Sequence, residues 1–347
     1  MTEPGSLMAA EIREQPEAWA RFLAQGLGAV GRAASRIAEY RPRYVLFAAR
    51  GTSDHAALYG KYLFETLLGV PAGLLSPSVL TVYDARPDYT GTLVIGVSQS
   101  GGSPDLVRSL VVAGERGALT LAVTNAADSP LAQAAHEHID VLAGPERAVA
   151  ATKSYTAQLL ALRSLVQALQ GDQDQTLRDL PKLAQDLLGA QEAPIAHVAE
   201  RYRFAPRVVS VGRGYSYATA REAALKLMET SYLFALSFSA ADLLHGPLAA
   251  VDAFTPALLI AAEGKGGEAA RAVLPRLQSQ RADVFCIGSA ESVRAAGAGV
   301  VLPGRVAEEI SPLLEILPAQ TLALRLALLR GENPDSPRGL SKVTKTL

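Results

Sequence analysis

Short, unbroken apolar runs alternate along this chain with longer stretches in which apolar positions recur every three or four residues. Runs of strand length fall at 44–48, 93–97, 119–124 and 139–142. Helical spacing follows the first two, over 55–68 and up to residue 116. After the third come a loop at 125–130 and a short helix. Solid apolar runs of this kind suit strands buried on both faces, and their alternation with helices predicts a parallel sheet covered on both sides. Ahead of them, residues 8–40 carry Trp19, Phe22, Leu23, Leu27 and Val30 at helical spacing, with Gly26, Gly28 and Gly31 as the place for a break. Residues 152–190 make a long helical stretch with an exposed bend at 171–175. A second strand series follows at 207–211, 257–261, 283–287 and 299–302. A helix over 312–330 and a polar tail stiffened by Pro334 and Pro337 complete the chain.

The two series are copies. Val45-Leu-Phe-Ala-Ala-Arg-Gly-Thr-Ser53 aligns with Val208-Val-Ser-Val-Gly-Arg-Gly-Tyr-Ser216, 163 residues later, and both read as strand, Arg-Gly-x-Ser, helix. The expected fold is therefore α/β: two tandem, doubly wound, flavodoxin-like parallel-sheet domains. The expected layout is an N-terminal helical segment at 1–40, a first domain at 41–170, a helical linker at 171–195, a second domain at 196–330 and a tail at 331–347. Open sheets of this kind bind ligands at the carboxyl ends of their strands.

Composition narrows the function by exclusion. At 347 residues, 49% hydrophobic and 19% charged, there is material for two cores. The net charge of -1 and the lack of a basic stripe argue against a nucleic-acid partner. No run of about 18 apolar residues predicts a membrane span. The first eight residues lack the basic and apolar regions of a signal peptide, so a cytoplasmic protein is expected. The one cysteine, Cys286, sits in an apolar run and reads as a buried packing residue. His136 and His138 alternate like a metal-binding pair but have no third ligand nearby, so neither a metal nor an organic cofactor is expected.

Three segments carry chemistry. Ser98-Gln-Ser-Gly-Gly-Ser103 lies where a strand turns into a helix. Its glycines let the backbone approach a ligand, Ser98, Ser100 and Ser103 offer hydroxyls, and the helix start offers free amides, which together suit a phosphate monoester. The simpler reading is an N-cap loop, for which one serine suffices. Thr52 and Ser53 end the neighbouring strand and offer hydroxyls to the same phosphate or to a sugar. Glu222, Lys226 and Glu229 share one helix face at i, i+4 and i+7. A solvated salt-bridged face is the common fate of that pattern, but the intervening Ala223, Ala224, Leu225, Leu227 and Met228 leave little helix for solvent. Buried acid–base groups suited to proton transfer are the alternative. His245, before Gly246-Pro247, is either the last residue of a helical turn or a proton carrier. Lys342, in the charged tail, is either at a frayed end or an amine delivered to a carbonyl.

Taken together, Arg50-Gly-Thr-Ser53, Ser98-Gln-Ser-Gly101, Ala151-Thr-Lys-Ser-Tyr-Thr156, Glu222-x-Ala-Leu-Lys-Leu-x-Glu229 and His245-Gly-Pro-Leu-Ala249 resemble the double sugar-isomerase-domain (SIS) proteins. The closest are the isomerase half of glucosamine-6-phosphate synthases and the stand-alone glucosamine-6-phosphate deaminases. The resemblance runs from about residue 10 to the C-terminus. It implies that Thr52, Ser98, Gln99, Ser100 and Ser103 bind the sugar phosphate and that Val149 and Ala151 line the sugar. Ala151 stands where the synthase has serine. It implies that Glu229 moves a proton between C1 and C2 beside its helix partner Lys226. His245, supplied by the neighbouring subunit, opens the ring, and Lys342 can hold the open-chain sugar as an imine, so that the tail completes the active site. A homodimer with shared sites follows.

Two departures from the synthase shape the expectation. Its N-terminal glutaminase domain has no counterpart in these residues, and Cys286 cannot replace that domain's terminal cysteine. Gly102-Ser-Pro-Asp105 replaces the synthase's Glu-Thr and looks more like the deaminases. The expected reaction is conversion of glucosamine 6-phosphate to fructose 6-phosphate and ammonia, or its ammonia-dependent reverse. The rivals are a fructosamine-6-phosphate deglycase, a galactosamine-6-phosphate deaminase/isomerase and a non-catalytic sugar-phosphate-binding regulator. The regulator needs the cradle but not Glu229, His245 and Lys342.

Overall fold

The structure, a computed structural model, describes residues 3–172, 176–304 and 306–342. Part of the expected bend, residues 173–175, and the tail beyond Lys342 lie outside them. The chain divides into two compact units, one of residues 17–146, 153–179 and 341–347, the other of residues 1–16, 147–152 and 180–340.

The long helical start is three helices, α1 (Ser6–Arg13), α2 (Gln15–Gln25) and α3 (Leu27–Tyr40). The break between the last two falls at Gly26, where a Cβ would come 2.6 Å from the Phe22 ring. Then follow β1 (Tyr44–Ala48), α4 (Thr52–Leu67), β2 (Ala72–Leu74), α5 (Pro77–Thr81), β3 (Thr92–Ser98), α6 (Pro104–Glu115), β4 (Leu119–Thr124), α7 (Pro130–Ala134), β5 (Glu137–Asp140) and α8 (Lys153–Gln170). The first sheet is all parallel, in the order β2-β1-β3-β4-β5. Every residue of β3 and β4 is buried, as their solid apolar runs require. Ala48 pairs with Gly96, so the loops leaving β1 and β3 diverge from neighbouring strands, at the point where such sheets take their ligands.

The second unit repeats this with α9 (Thr176–Ala190), α10 (Glu192–Tyr202), β6 (Arg207–Gly212), α11 (Ser216–Ser231), β7 (Phe234–Ser239), α12 (Ala240–Leu244), β8 (Ala257–Ala261), α13 (Lys265–Arg271), α14 (Leu274–Ser279), β9 (Val284–Gly288), α15 (Ala290–Ala296), β10 (Gly299–Val301) and α16 (Ser311–Leu329). Its sheet order, β10-β9-β8-β6-β7, is the same topology, and Val211 pairs with Leu259 as Ala48 pairs with Gly96, each 163 residues on. The expected doubly wound pair of sheets is therefore present, with corrections. β2 and β7 were not expected. The first is three weakly apolar edge residues. The second buries its small side chains and exposes Phe234 (82%) and Leu236 (60%), which inverts the usual signal. Strand β5 starts two residues earlier than predicted. Helix α4 starts three residues earlier, so Thr52 and Ser53 belong to its first turn.

Helix α16 is long and apolar enough to cross a bilayer by composition alone, but it is the buried core helix of its unit. It also carries a buried carboxylic acid. Glu315 is wholly buried and accepts from the hydroxyls of Ser216 (2.7 Å), Thr219 (2.7 Å) and Ser311 (2.8 Å). Burial, aided by repulsion from Glu308, holds its carboxyl above the usual range despite those hydroxyls. A group raised on folding stabilises fully below its unfolded pKa, and that contribution is lost as pH rises through the folded value. Glu315→Gln keeps the shape and cannot ionise. Its thermal midpoint should match the wild type near pH 4 and exceed it increasingly toward pH 8. Parallel melting curves across that range would show that the Glu315 carboxyl titrates alike in the folded and unfolded chains and would overturn the raised value.

Candidate functional site

In the first unit the loop after β3 is built by its own side chains. The Ser98 hydroxyl accepts the Gly101 amide (3.0 Å) and the Ser100 hydroxyl accepts the Gly102 amide (3.2 Å), which leaves both O–H groups to donate elsewhere. Gly101 has φ +60°, and a Cβ there would sit 2.2 Å from Ser129 Oγ, so only glycine fits the turn. Gln99 anchors the loop from behind, its carbonyl accepting the Asn125 amide. Ser103 is the N-cap of α6 in extended conformation, yet its hydroxyl makes no capping bond, and Pro104 follows at the first helical position. The simple N-cap reading therefore fails for this serine. Three hydroxyls at the start of a helix are the candidate cradle for an anion, beside a first turn whose Leu106 amide is taken by Asp105 Oδ1 (2.9 Å).

Beside it, Gly51 (φ +55°) turns β1 into α4. Ser53 is buried and accepts from Gln158 Nε2 (3.1 Å), so its oxygen serves the packing of α4. Thr52, half-buried, is the first residue of α4. Lys342 Nζ donates to Glu146 Oε2 (2.8 Å), and that wholly buried carboxylate also takes the Ser154 amide (3.0 Å) and hydroxyl (2.7 Å). Burial pushes the Glu146 carboxyl up, but Lys342 and Ser154 outweigh it and hold it below its ordinary value. The tail lysine is thus positioned rather than frayed. Sequence reasoning missed Glu146, because its partner lies 196 residues away.

In the second unit, α11 presents the expected triad. Lys226 is wholly buried, 3.3 Å from Glu222 Oε1 and 2.5 Å from Glu229 Oε2. Burial opposes its charge, but the two carboxylates prevail and hold the ammonium above the usual lysine range. Glu222 is buried with it, whereas the Glu229 side chain stays 22% exposed. The solvated-face reading is excluded by that burial. His245 is exposed just past α12, with Gly246 (φ +128°) making the turn. Val149 and Ala151 are half-buried in the 147–152 loop. Glu11 of α1 holds that loop by accepting the Arg147 and Ala148 amides, and Gln320 Nε2 donates to the Thr152 carbonyl.

The second unit also contains the counterpart of the cradle, and it is filled. Gly264 corresponds to Gly101, but Ala261, Glu263 and Gly266 stand where Ser98, Ser100 and Ser103 supply hydroxyls. Glu308 takes the free amides of Lys265 (2.9 Å) and Gly266 (2.6 Å), and a Cβ on Gly264 would strike its carboxylate at 2.4 Å. A side-chain carboxylate occupies the anion position of this half. A cavity of about 330 Å3 beyond it, lined by Glu263, Arg271, Ser289 and Glu291 among others, contains none of the expected site residues.

The remaining candidates resolve as packing. His136 Nδ1 and His138 Nε2 hydrogen-bond the hydroxyls of Thr120 (2.7 Å) and Thr124 (2.9 Å). Cys286 is buried in β9, its thiol pushed up to about 12 by burial.

The SIS domain family model matches residues 40–168 and 202–330. The glutamine–fructose-6-phosphate aminotransferase (isomerizing) of Gloeobacter violaceus is 37% identical over 96% of this chain, and that of Methanothermobacter thermautotrophicus is 34% identical over 99%. The chain spans 58% of the length of each. Among solved structures, a candidate phosphosugar isomerase from Silicibacter pomeroyi superposes with a TM-score of 0.86 at 37% identity, covering 95% of this chain and 99% of that one. The C-terminal domain of glucosamine-fructose-6-phosphate aminotransferase from Francisella tularensis gives 0.82 at 25%, covering 95% and 98%.

Proposed function

The chain belongs to the SIS domain family, and from that membership we propose that it is an isomerase/deaminase that converts glucosamine 6-phosphate to fructose 6-phosphate and ammonia. The observation that carries this reading is the α11 triad: a partly exposed carboxylate fixed by a buried, permanently charged lysine. A sensor of sugar phosphates has no use for such a group.

In the proposed reaction the cradle residues Thr52, Ser98, Gln99, Ser100 and Ser103 hold the phosphate, whose remote binding energy orients the sugar. His245, contributed within a homodimer, moves the proton from O1 to O5 and opens the ring. Glu229 removes the C2 proton from the open-chain aldehyde and delivers it to C1, while an N–H proton passes to O1, so that C1 becomes a CH2OH group. The nitrogen on C2 becomes an imine, water adds to C2, and the C–N bond breaks to leave the ketone and ammonia. Lys342, held by Glu146, is the amine that engages the open-chain carbonyl.

The test is ammonia release, by coupled assay, from glucosamine 6-phosphate. Release matched by an equal yield of fructose 6-phosphate is expected. No ammonia and no exchange of C1 or C2 hydrogens with deuterated water, across glucosamine 6-phosphate, galactosamine 6-phosphate and phosphorylated fructosamines, would sink the catalytic reading in favour of a regulator.

A further inference from the structure

The cradle contains a charge that its serines do not explain. Asp105 lies in the first turn of α6, two residues beyond Ser103, and is 1% exposed. A carboxylate there competes with an incoming phosphate for the same helix start and repels it. Its neutralising partner comes from the other side of the strand gap: Arg50 Nε donates to Asp105 Oδ2 at 2.9 Å. The Ala48–Gly96 register brings Arg50 level with Ser98, the first cradle residue. The Arg50 side chain is 48% exposed, and its guanidinium is held to Asp105 through Nε.

The duplicated half supplies an internal comparison. Arg213 occupies the position of Arg50, but it donates to Ser239 Oγ (2.9 Å), and the anion position beside it is taken by Glu308. The arginine is therefore paired with the cradle helix in the half that keeps the Ser98, Ser100 and Ser103 hydroxyls. In the half whose cradle is closed it is turned to a neighbouring serine.

We propose that Arg50, positioned by Asp105, is a phosphate-binding residue that completes the Ser98–Ser103 cradle with a planar, two-pronged donor to a phosphate monoester dianion. This rests on the phosphosugar reading above and deepens it. A guanidinium held at one edge offers its remaining N–H groups as a pair, the geometry that matches two phosphate oxygens. Lysine cannot bind Asp105 and the phosphate at once in this way.

Calorimetric binding of inorganic phosphate and of fructose 6-phosphate separates this proposal from the reaction assigned above, since neither titration needs turnover. Arg50→Ala should weaken both ligands in parallel, by roughly 10- to 100-fold. Arg50→Lys should recover only part of that loss; Arg50→Ala should also lower the melting temperature, because it leaves the buried Asp105 without its partner, so binding is read well below the melting temperature of each variant. Undiminished phosphate binding by Arg50→Ala overturns the proposal, as does loss of fructose 6-phosphate binding alone, which would make Arg50 a sugar contact. A wild-type chain that binds neither ligand overturns it together with the phosphosugar reading. Tight binding without ammonia release overturns only the reading of the reaction.

Discussion

Glu229→Gln is expected to lower kcat for ammonia release by roughly 10²- to 10⁴-fold, the range for removing a positioned general base. The KM should change little. The substitution is close to isosteric, so Lys226 Nζ can still donate to the side-chain oxygen that it now holds at 2.5 Å. What disappears is the ability to take a proton. Of the two carboxylates on the lysine, Glu222 is sealed in and Glu229 reaches the surface, which is why Glu229 is the one proposed as the base. The residues proposed to hold the phosphate belong to the other unit, so phosphate affinity should be untouched, which makes a kcat loss without a Kd change the diagnostic result. Turnover within a few-fold of wild type would remove Glu229 from the role of base. Exchange of the C2 hydrogen with deuterated water gives the same answer without relying on the later hydrolysis.

Much of this architecture was legible because it is written locally. Buried parallel strands need unbroken apolar runs, and β3 and β4 have them. A duplication shows itself as a repeated strand–Arg-Gly-x-Ser–helix segment. The edge strands β2 and β7 escaped notice because nothing local marks them: β7 turns Phe234 and Leu236 outward and Ala235 inward. The cradle serines and the α11 triad were visible as spacing. The carboxylates that position the rest were not. Glu146 meets Lys342, Glu308 meets the Lys265–Gly266 amides, and Arg50 meets Asp105. In each case the partner lies tens or hundreds of residues away, and a lone Glu or Asp in a loop reads as solvated. The same limit hid Glu315, an acid in an apolar helix whose three hydroxyl partners come together only on folding. The sequence pattern also showed two copies of one domain without showing that they had diverged. Only the three-dimensional placement of Glu308 shows that the second anion position is closed.

Lys226→Met should destabilise the second unit by roughly 3–5 kcal/mol, because it leaves Glu222 as a buried charge without its counter-ion. The magnitude discriminates between the two readings of the helix face. An exposed i, i+4 pair is worth only about 0.3–0.5 kcal/mol, and its loss would barely move an unfolding midpoint. Here Lys226 and Glu222 are both wholly buried, and the ammonium offsets the cost of the Glu222 carboxylate in that place. The double substitution Glu222→Leu with Lys226→Met tests the cause. Replacing a buried pair by apolar side chains of similar volume is often neutral or stabilising, so the double variant should regain most of the loss. It should remain inactive, since Glu229 no longer has the lysine that fixes it. A single variant that unfolds within about 1 kcal/mol of wild type in urea would mean that water reaches the triad. Recovery of stability without recovery of turnover would separate what the lysine does for the fold from what it does for the base: it offsets Glu222 in the first role and aims Glu229 in the second.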